Sequence, residues 1–93
     1  MTERETSERY VMVYEDAEGL ARVTGGIGSF EAYQDSRERA DKTGKVTFHK
    51  YGIPDAKARI LNDLTFRINK KPMSEVSGLV DLLRENLTRE ETQ

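Results

Sequence analysis

Tyr10 to Glu15 (YVMVYE) constrains this chain more than any other stretch, because five apolar or aromatic residues follow one another before a charge appears. A strand with alternating polarity can give one face to water, but a strand apolar on both faces has to be covered on both. Asp16-Ala17-Glu18-Gly19 follows, with glycine where a four-residue hairpin connection calls for positive φ. Leu20 to Thr24 (LARVT) then returns, with Leu20, Arg22 and Thr24 on one side and Ala21 and Val23 on the other. A β-hairpin over residues 10–24 is therefore expected.

Glycines at 25, 26 and 28 are expected to break the second strand and open a flexible corner into a helix over 30–43. Ser29 or Gly28 would be its N-cap, and Glu31 in the first turn complements the helix dipole. The apolar stripe of this helix is thin (Phe30, Tyr33 and Ala40, with the Arg37 stem between them), and Gly44 stands where a left-handed C-cap belongs. Lys45 to Tyr51 alternates Val46 and Phe48 against Thr47, His49 and Tyr51, which predicts a third strand ended by Gly52-Ile53-Pro54.

Asp55 to Lys71 has two readings. As a helix over about 55–70, Ile60, Leu61, Leu64 and Ile68 form one stripe and Phe66 points away from it. With a fourth strand at 64–69 instead, Leu64, Phe66 and Ile68 share a face. The run AKARIL favours helix at least as far as Leu61. After Pro72, Val76, Leu79, Val80, Leu83 and Leu87 align along a helix over 74–87, with Leu82 on its flank. Gly78 interrupts that helix and implies close packing there.

The expected fold is α+β, a small antiparallel sheet (10–24 plus 45–51, with 64–69 as the alternative fourth strand) packed on helices 30–43, about 55–70 and 74–87. At 93 residues the chain has room for one domain, expected over 9–88 between a mobile tail at 1–8 and a polar tail at 89–93. A domain of this size buries only about 60–65% of the surface its unfolded chain exposes. A homodimer that shares the sheet face opposite the helices, or the Leu-rich last helix, would compensate for a thin core.

Cysteine is absent, which excludes disulfides, thiolate catalysis and Cys-ligated zinc or iron–sulfur sites. The polar opening MTERETSERY and the lack of a long apolar run argue against a membrane span and for a cytoplasmic protein. His49 has neither a thiol nor a recognisable Ser partner, and a metal there would need Asp55 or Asp63 brought to it. The glycine loop departs from G-x-G-x-x-G, because Glu31 occupies the third glycine position and would repel phosphate. Glu15, Asp16 and Glu18 lack the D-x-D-x-D-G spacing of a calcium loop and read as a solvated hairpin tip. No enzyme activity, cofactor or metal is expected.

Charge gives the remaining functional lead. Lys42 to Lys71 holds eight of the fifteen Lys and Arg residues against Asp55 and Asp63 alone, a balance of +6 inside a chain of net −2. Such a segment points to an anionic partner, DNA or RNA, with Lys45, His49, Lys50, Tyr51, Arg59, Arg67, Lys70 and Lys71 as the candidate contacts and Tyr51 or Phe48 available to stack on a base. The competing reading is a solvated face paired with Asp35, Glu38 and Asp41 of the preceding helix, each pair contributing about 0–1 kcal/mol.

From Lys45 to Leu87 the order strand, Pro, helix, turn, helix resembles the ribbon-helix-helix DNA-binding arrangement. That resemblance would make Thr47, His49 and Tyr51 the base-reading positions. The long preceding hairpin and helix and the net-acidic last helix depart from it. A protein-interaction or inhibitor module, using exposed aromatics and the Leu-rich helix, is the alternative to nucleic-acid binding.

Overall fold

The computed structural model describes residues 8–88, so the expected tails at 1–8 and 89–93 lie, Glu8 apart, outside the described residues. The elements run β1 (Arg9–Asp16), β2 (Ala21–Ile27), α1 (Phe30–Thr43), β3 (Gly44–Tyr51), a 3-10 turn (Asp55–Lys57), α2 (Ala58–Ile68) and α3 (Met73–Thr88). The strands form one antiparallel sheet in the order β2-β1-β3, giving an α+β fold with β1 in the centre. This is the position that the two-sided apolarity of YVMVYE requires.

Alternation along β1 divides the core in two. Val11 and Val13 point into the larger half, with Ala21, Phe48, Ile53 and the inner faces of α2 and α3. Met12 points the other way, into a smaller cluster with Tyr33 and Ala40 of α1, flanked by Tyr10, Tyr14, Val46 and Tyr51. Helices therefore lie on both sides of the sheet, and the expected bare face does not exist under β1 and β3. Val76, Val80, Leu83 and Leu87 of α3 are buried in the larger cluster, so the leucine stripe is used within the chain.

The hairpin tip is organised by Asp16. Its Oδ1 accepts from the N–H groups of Glu18 and Leu20, both at 2.9 Å, and its Oδ2 accepts from Arg22 Nε at 2.8 Å. Gly19 closes the turn at φ 83°, a conformation a side chain would oppose. The hydrogen bonds from Arg22 and then from the backbone hold the Asp16 carboxyl below its ordinary pKa.

Three local expectations change, and the choice between helix and strand at 64–69 falls to the helix. Gly25 and Gly26 do not break β2, which continues to Ile27 with Gly25 opposite Val11. A Cβ on Gly25 would stand 2.3 Å from Tyr10 O, so glycine here allows the close approach of two backbones. Gly44 is not a left-handed cap: at φ −173° it is extended and starts β3, and its N–H donates to Ala40 O. No packing surrounds Gly78, where an added Cβ would meet open space. Residues 64–69 are not a fourth strand; α2 continues to Ile68, burying Leu61, Leu64 and Ile68 and leaving Phe66 82% exposed.

The alternation expected in β3 is interrupted as well. Phe48 pairs with Val13 and Val46 with Tyr14, leaving Thr47 as an inserted residue with no partner in β1. Past this bulge, Val46 shares the α1 side with His49 and Tyr51, while Phe48 is buried on the α2–α3 side. The bulge is satisfied locally: Thr47 Oγ1 donates to Val13 O at 3.1 Å, and Arg84 Nη2 of α3 donates to Thr47 O at 3.1 Å. The Arg84 guanidinium also lies 5.7 Å from the Phe48 ring centroid.

Candidate functional site

The eight residues singled out from the sequence do not all share one side of the sheet. His49 and Tyr51 lie on the α1 side of the sheet, whereas Arg59, Arg67, Lys70 and Lys71 belong to α2 and its C-terminal turn on the opposite side. Tyr51 packs edge-on against Phe30 and beside Tyr33, both at 5.3 Å between centroids. Phe48 is buried and cannot stack on a base. Lys45 stands opposite Glu15 at the hairpin end of β3, and Lys50, half-buried, stands opposite Val11 near its other end. Arg67 is held by Asp63 one turn earlier at 3.4 Å, and Arg59 lies beside Ala56, Ile60 and Asp63. Arg67, Lys70 and Lys71 lie together at the C-terminal end of α2, where Lys71 Nζ donates to Arg67 O at 3.2 Å. The ribbon-helix-helix analogy also fails geometrically, because the β3 residues it would assign to base reading are Thr47 in the bulge and His49 and Tyr51 against α1.

His49 is engaged by α1. Its Nδ1 lies 2.5 Å from the Tyr33 hydroxyl, in a ring cluster where Tyr33 also meets Tyr10, Phe30 and Tyr51. Burial, reinforced by the Arg37 charge and opposed by Asp41, lowers the pKa of the ring. With the ring neutral, the Tyr33 O–H donates to Nδ1. Asp55 and Asp63 stand on the far side of the sheet, and among the described residues no three His, Asp or Glu side chains are grouped to hold a metal ion.

A different feature stands out along the outer edge of β2. Gly28 N–H donates to Glu8 O, so even-numbered positions face β1 and Ala21, Val23, Gly25 and Ile27 turn their backbone groups outward. The chain joining α2 to α3 occupies the first part of this edge. Ala21 N–H donates to Lys71 O, Lys70 N–H to Ala21 O and Met73 N–H to Gly19 O, with Leu20 bridged to Pro72. Asn69 extends the cover by one residue, its Oδ1 accepting from Val23 N–H at 3.1 Å. Beyond that point the cover stops. Val23 C=O and the outward N–H and C=O groups of Gly25 and Ile27 have no hydrogen-bond partner among the described residues.

This open edge runs beside a groove between β2 and α2. Its upper part, about 240 Å³, is lined by Arg9, Val23, Gly25, Leu61, Asn62 and Thr65. A wider continuation of about 590 Å³ shares Val23, Asn62 and Thr65 and ends at Phe66, Asn69, Lys70 and Lys71. Ile27 is 70% exposed at one end of the edge and Phe66 82% exposed on the rim. Arg9 is held toward Asp55 at 3.7 Å, and its buried Nε has no hydrogen-bond partner among the described residues. Lys70 adopts φ 69°, which a lysine takes only at a cost.

Of these groove residues, the sequence pointed to Lys70 and Lys71 by charge, to Phe66 by its place off the helical stripe, and to Gly25 as part of a flexible corner. Ile27, Asn62, Thr65 and Asn69 carried no signal, because an open edge is a property of backbone pairing. Comparison with protein-family models, with curated proteins and with solved structures finds no match. Among the described residues, no helix is long and apolar enough to cross a membrane.

Proposed function

We propose that the chain is a protein-interaction module that accepts an extended segment of a partner as a fourth strand along β2. One observation carries the reading: Val23 C=O and the outward backbone groups of Gly25 and Ile27, unpaired among the described residues, beside a groove walled by α2. Strand addition uses these elements, main-chain hydrogen bonds for affinity and an adjoining groove for side-chain selection. An open edge invites unwanted pairing and is ordinarily blunted by charge, Pro or cover. Here cover is provided from Gly19 to Val23 and then ends, and none of the outward-turned residues is charged. A cytoplasmic partner suits the cysteine-free chain. Nucleic-acid binding, the first expectation from the +6 segment, is the weaker reading because His49 and Tyr51 are engaged by α1 on the other side of the sheet from its lysines and arginines and Phe48 is buried.

A displayed library of random heptapeptides, selected against the whole chain, tests this reading. Peptides should enrich on the wild type and be lost on Ile27→Pro. That change removes an outward donor and leaves the ladder from Arg22, Thr24 and Gly26 to β1 in place. Failure to enrich any peptide, with nucleic acid co-purifying and released by salt, would overturn the proposal in favour of the electrostatic alternative.

A further inference from the structure

We infer that the segment taken up by this edge is acidic, with its carboxylates at the Lys70–Lys71 end of the groove. This rests on the strand-addition reading and names the chemistry of the partner. The groove lining contains Arg9, Lys70 and Lys71 and no Asp or Glu, in a chain whose total charge is −2. Its other polar groups, Asn62, Thr65 and Asn69, are neutral. The cationic end is also fixed in place. Lys70 N–H and Lys71 C=O are both bonded to Ala21, and Lys71 Nζ donates to Arg67 O at 3.2 Å. The hydrogen bond to Ala21 holds Lys70 in the left-handed region, where Asn or Gly would be less strained. Lys70 and Lys71 therefore line the groove beside Val23, at the start of the open backbone, where an added strand would end.

The length of the site follows from the same geometry. From Val23 to Ile27 the open edge spans five positions, about 17 Å of extended chain, matched by a segment of five to seven residues. A second copy of this chain is disfavoured as the occupant. Two β2 edges paired about Gly25 would bring uncovered backbone together, but each groove would keep its own Lys70 and Lys71 unmatched by any acidic residue of the other β2, which has none.

The test uses capped heptapeptides of alternating Val and Thr carrying Glu-Asp at one end or the other, their Gln-Asn and Lys-Lys counterparts, and a single-stranded oligodeoxynucleotide. Binding to the full chain is followed by amide chemical shifts and by anisotropy. One acidic orientation should bind roughly three- to tenfold more tightly than its Gln-Asn counterpart. The advantage should vanish in the double variant Lys70→Asn, Lys71→Gln and shrink between 50 and 500 mM salt, while the Gly25 and Ile27 amides shift on binding. Asn at 70 suits the positive φ, so the variant is expected to fold.

Equal binding of acidic and neutral peptides with the same Gly25 and Ile27 shifts would overturn the acidic preference and leave strand addition standing. No shift at these amides with any peptide at millimolar concentration would remove strand addition itself. Shifts produced by the oligodeoxynucleotide and not by peptides would make the groove a polyanion site, against the inference. Concentration-dependent dimerisation abolished by Ile27→Pro would identify a second copy as the occupant, also against it.

Discussion

His49 is the one side chain whose charge turns over near neutral pH, and its surroundings fix the sign of the effect. Burial comes first, the Arg37 charge second, and both favour the neutral ring, against Asp41. The folded pKa thus lies below the unfolded value of about 6.5, so the unfolded chain binds the proton first as pH falls. Stability should rise with pH through the window from the lowered value up to about 6.5 and level off above it. Chemical denaturation of wild type and His49→Gln between pH 5 and 8 checks this, since Asp16, with its pKa lowered from 3.8, stays ionised throughout. The wild type should lose more stability toward pH 5; parallel curves would remove His49 as the cause. The glycines make a second contrast at this scale. Gly78→Ala, pointing into open space within α3, should stabilise by about 0.5–1 kcal/mol. Gly25→Ala, driven against Tyr10 O, should destabilise by roughly 1–3 kcal/mol. Urea midpoints measure both, and equal effects would mean that helix propensity and backbone approach do not distinguish these positions.

At the scale of elements, the parts of the fold set by side-chain periodicity were legible and those set by backbone pairing were not. YVMVYE required a strand covered on both sides, and Leu61, Leu64 and Ile68 bury one stripe of a helix that leaves Phe66 outside, as the helical alternative requires. Thr47 shows the limit. An inserted residue leaves no trace in a period-two pattern, yet it moves His49, Tyr51 and Val46 to one side and Phe48 to the other. Gly25 and Gly26 suggest a break by propensity, but pairing with Val11 and Tyr10 carries the strand through them. The candidate site lies in this second category. Of the eight residues that charge singled out, Lys70 and Lys71 line the groove, while the groove itself arises where the α2–α3 connection stops covering β2. The alternation along that edge gives a direct check by amide hydrogen exchange. Thr24 and Gly26, bonded to β1, and Val23, capped by Asn69, should be protected, whereas Gly25 and Ile27 should exchange fast. Asn69→Ala should release Val23 alone, and protection of Gly25 comparable to Thr24 would mean that the edge is not open.

Across the whole molecule, the two sides of the sheet are unequal. On one side α2 contributes Leu61, Leu64 and Ile68 and α3 contributes Val76, Val80, Leu83 and Leu87 to a cluster that includes Val11, Val13 and Phe48. On the other, α1 buries only Tyr33 and Ala40, and it is further held to the sheet by the Tyr33–His49 and Ser36–Tyr10 hydrogen bonds, the Phe30–Tyr51 ring contact and the half-buried tyrosines. α1 contributes two buried side chains of its own against four from α3, and on that ground it should open at lower free energy and with a weaker dependence on denaturant. Native-state hydrogen exchange under increasing guanidinium resolves the two. Amides of α1 should follow a shallow isotherm below that of β1 and α3. Tyr33→Ala should lower the α1 isotherm while leaving α3 nearer its wild-type value, whereas Leu83→Ala should lower the global opening by about 2–5 kcal/mol and bring every element down with it. A single isotherm for α1 and α3, shifted equally by both substitutions, would show that the sheet couples its two layers into one cooperative unit. In the two-layer case the opening of α1 leaves β2, α2 and the groove intact, because the covering bonds at Ala21 and Val23 come from the α2–α3 connection. The strand-accepting edge would then be carried by the more stable half of the molecule, and peptide binding should survive Tyr33→Ala.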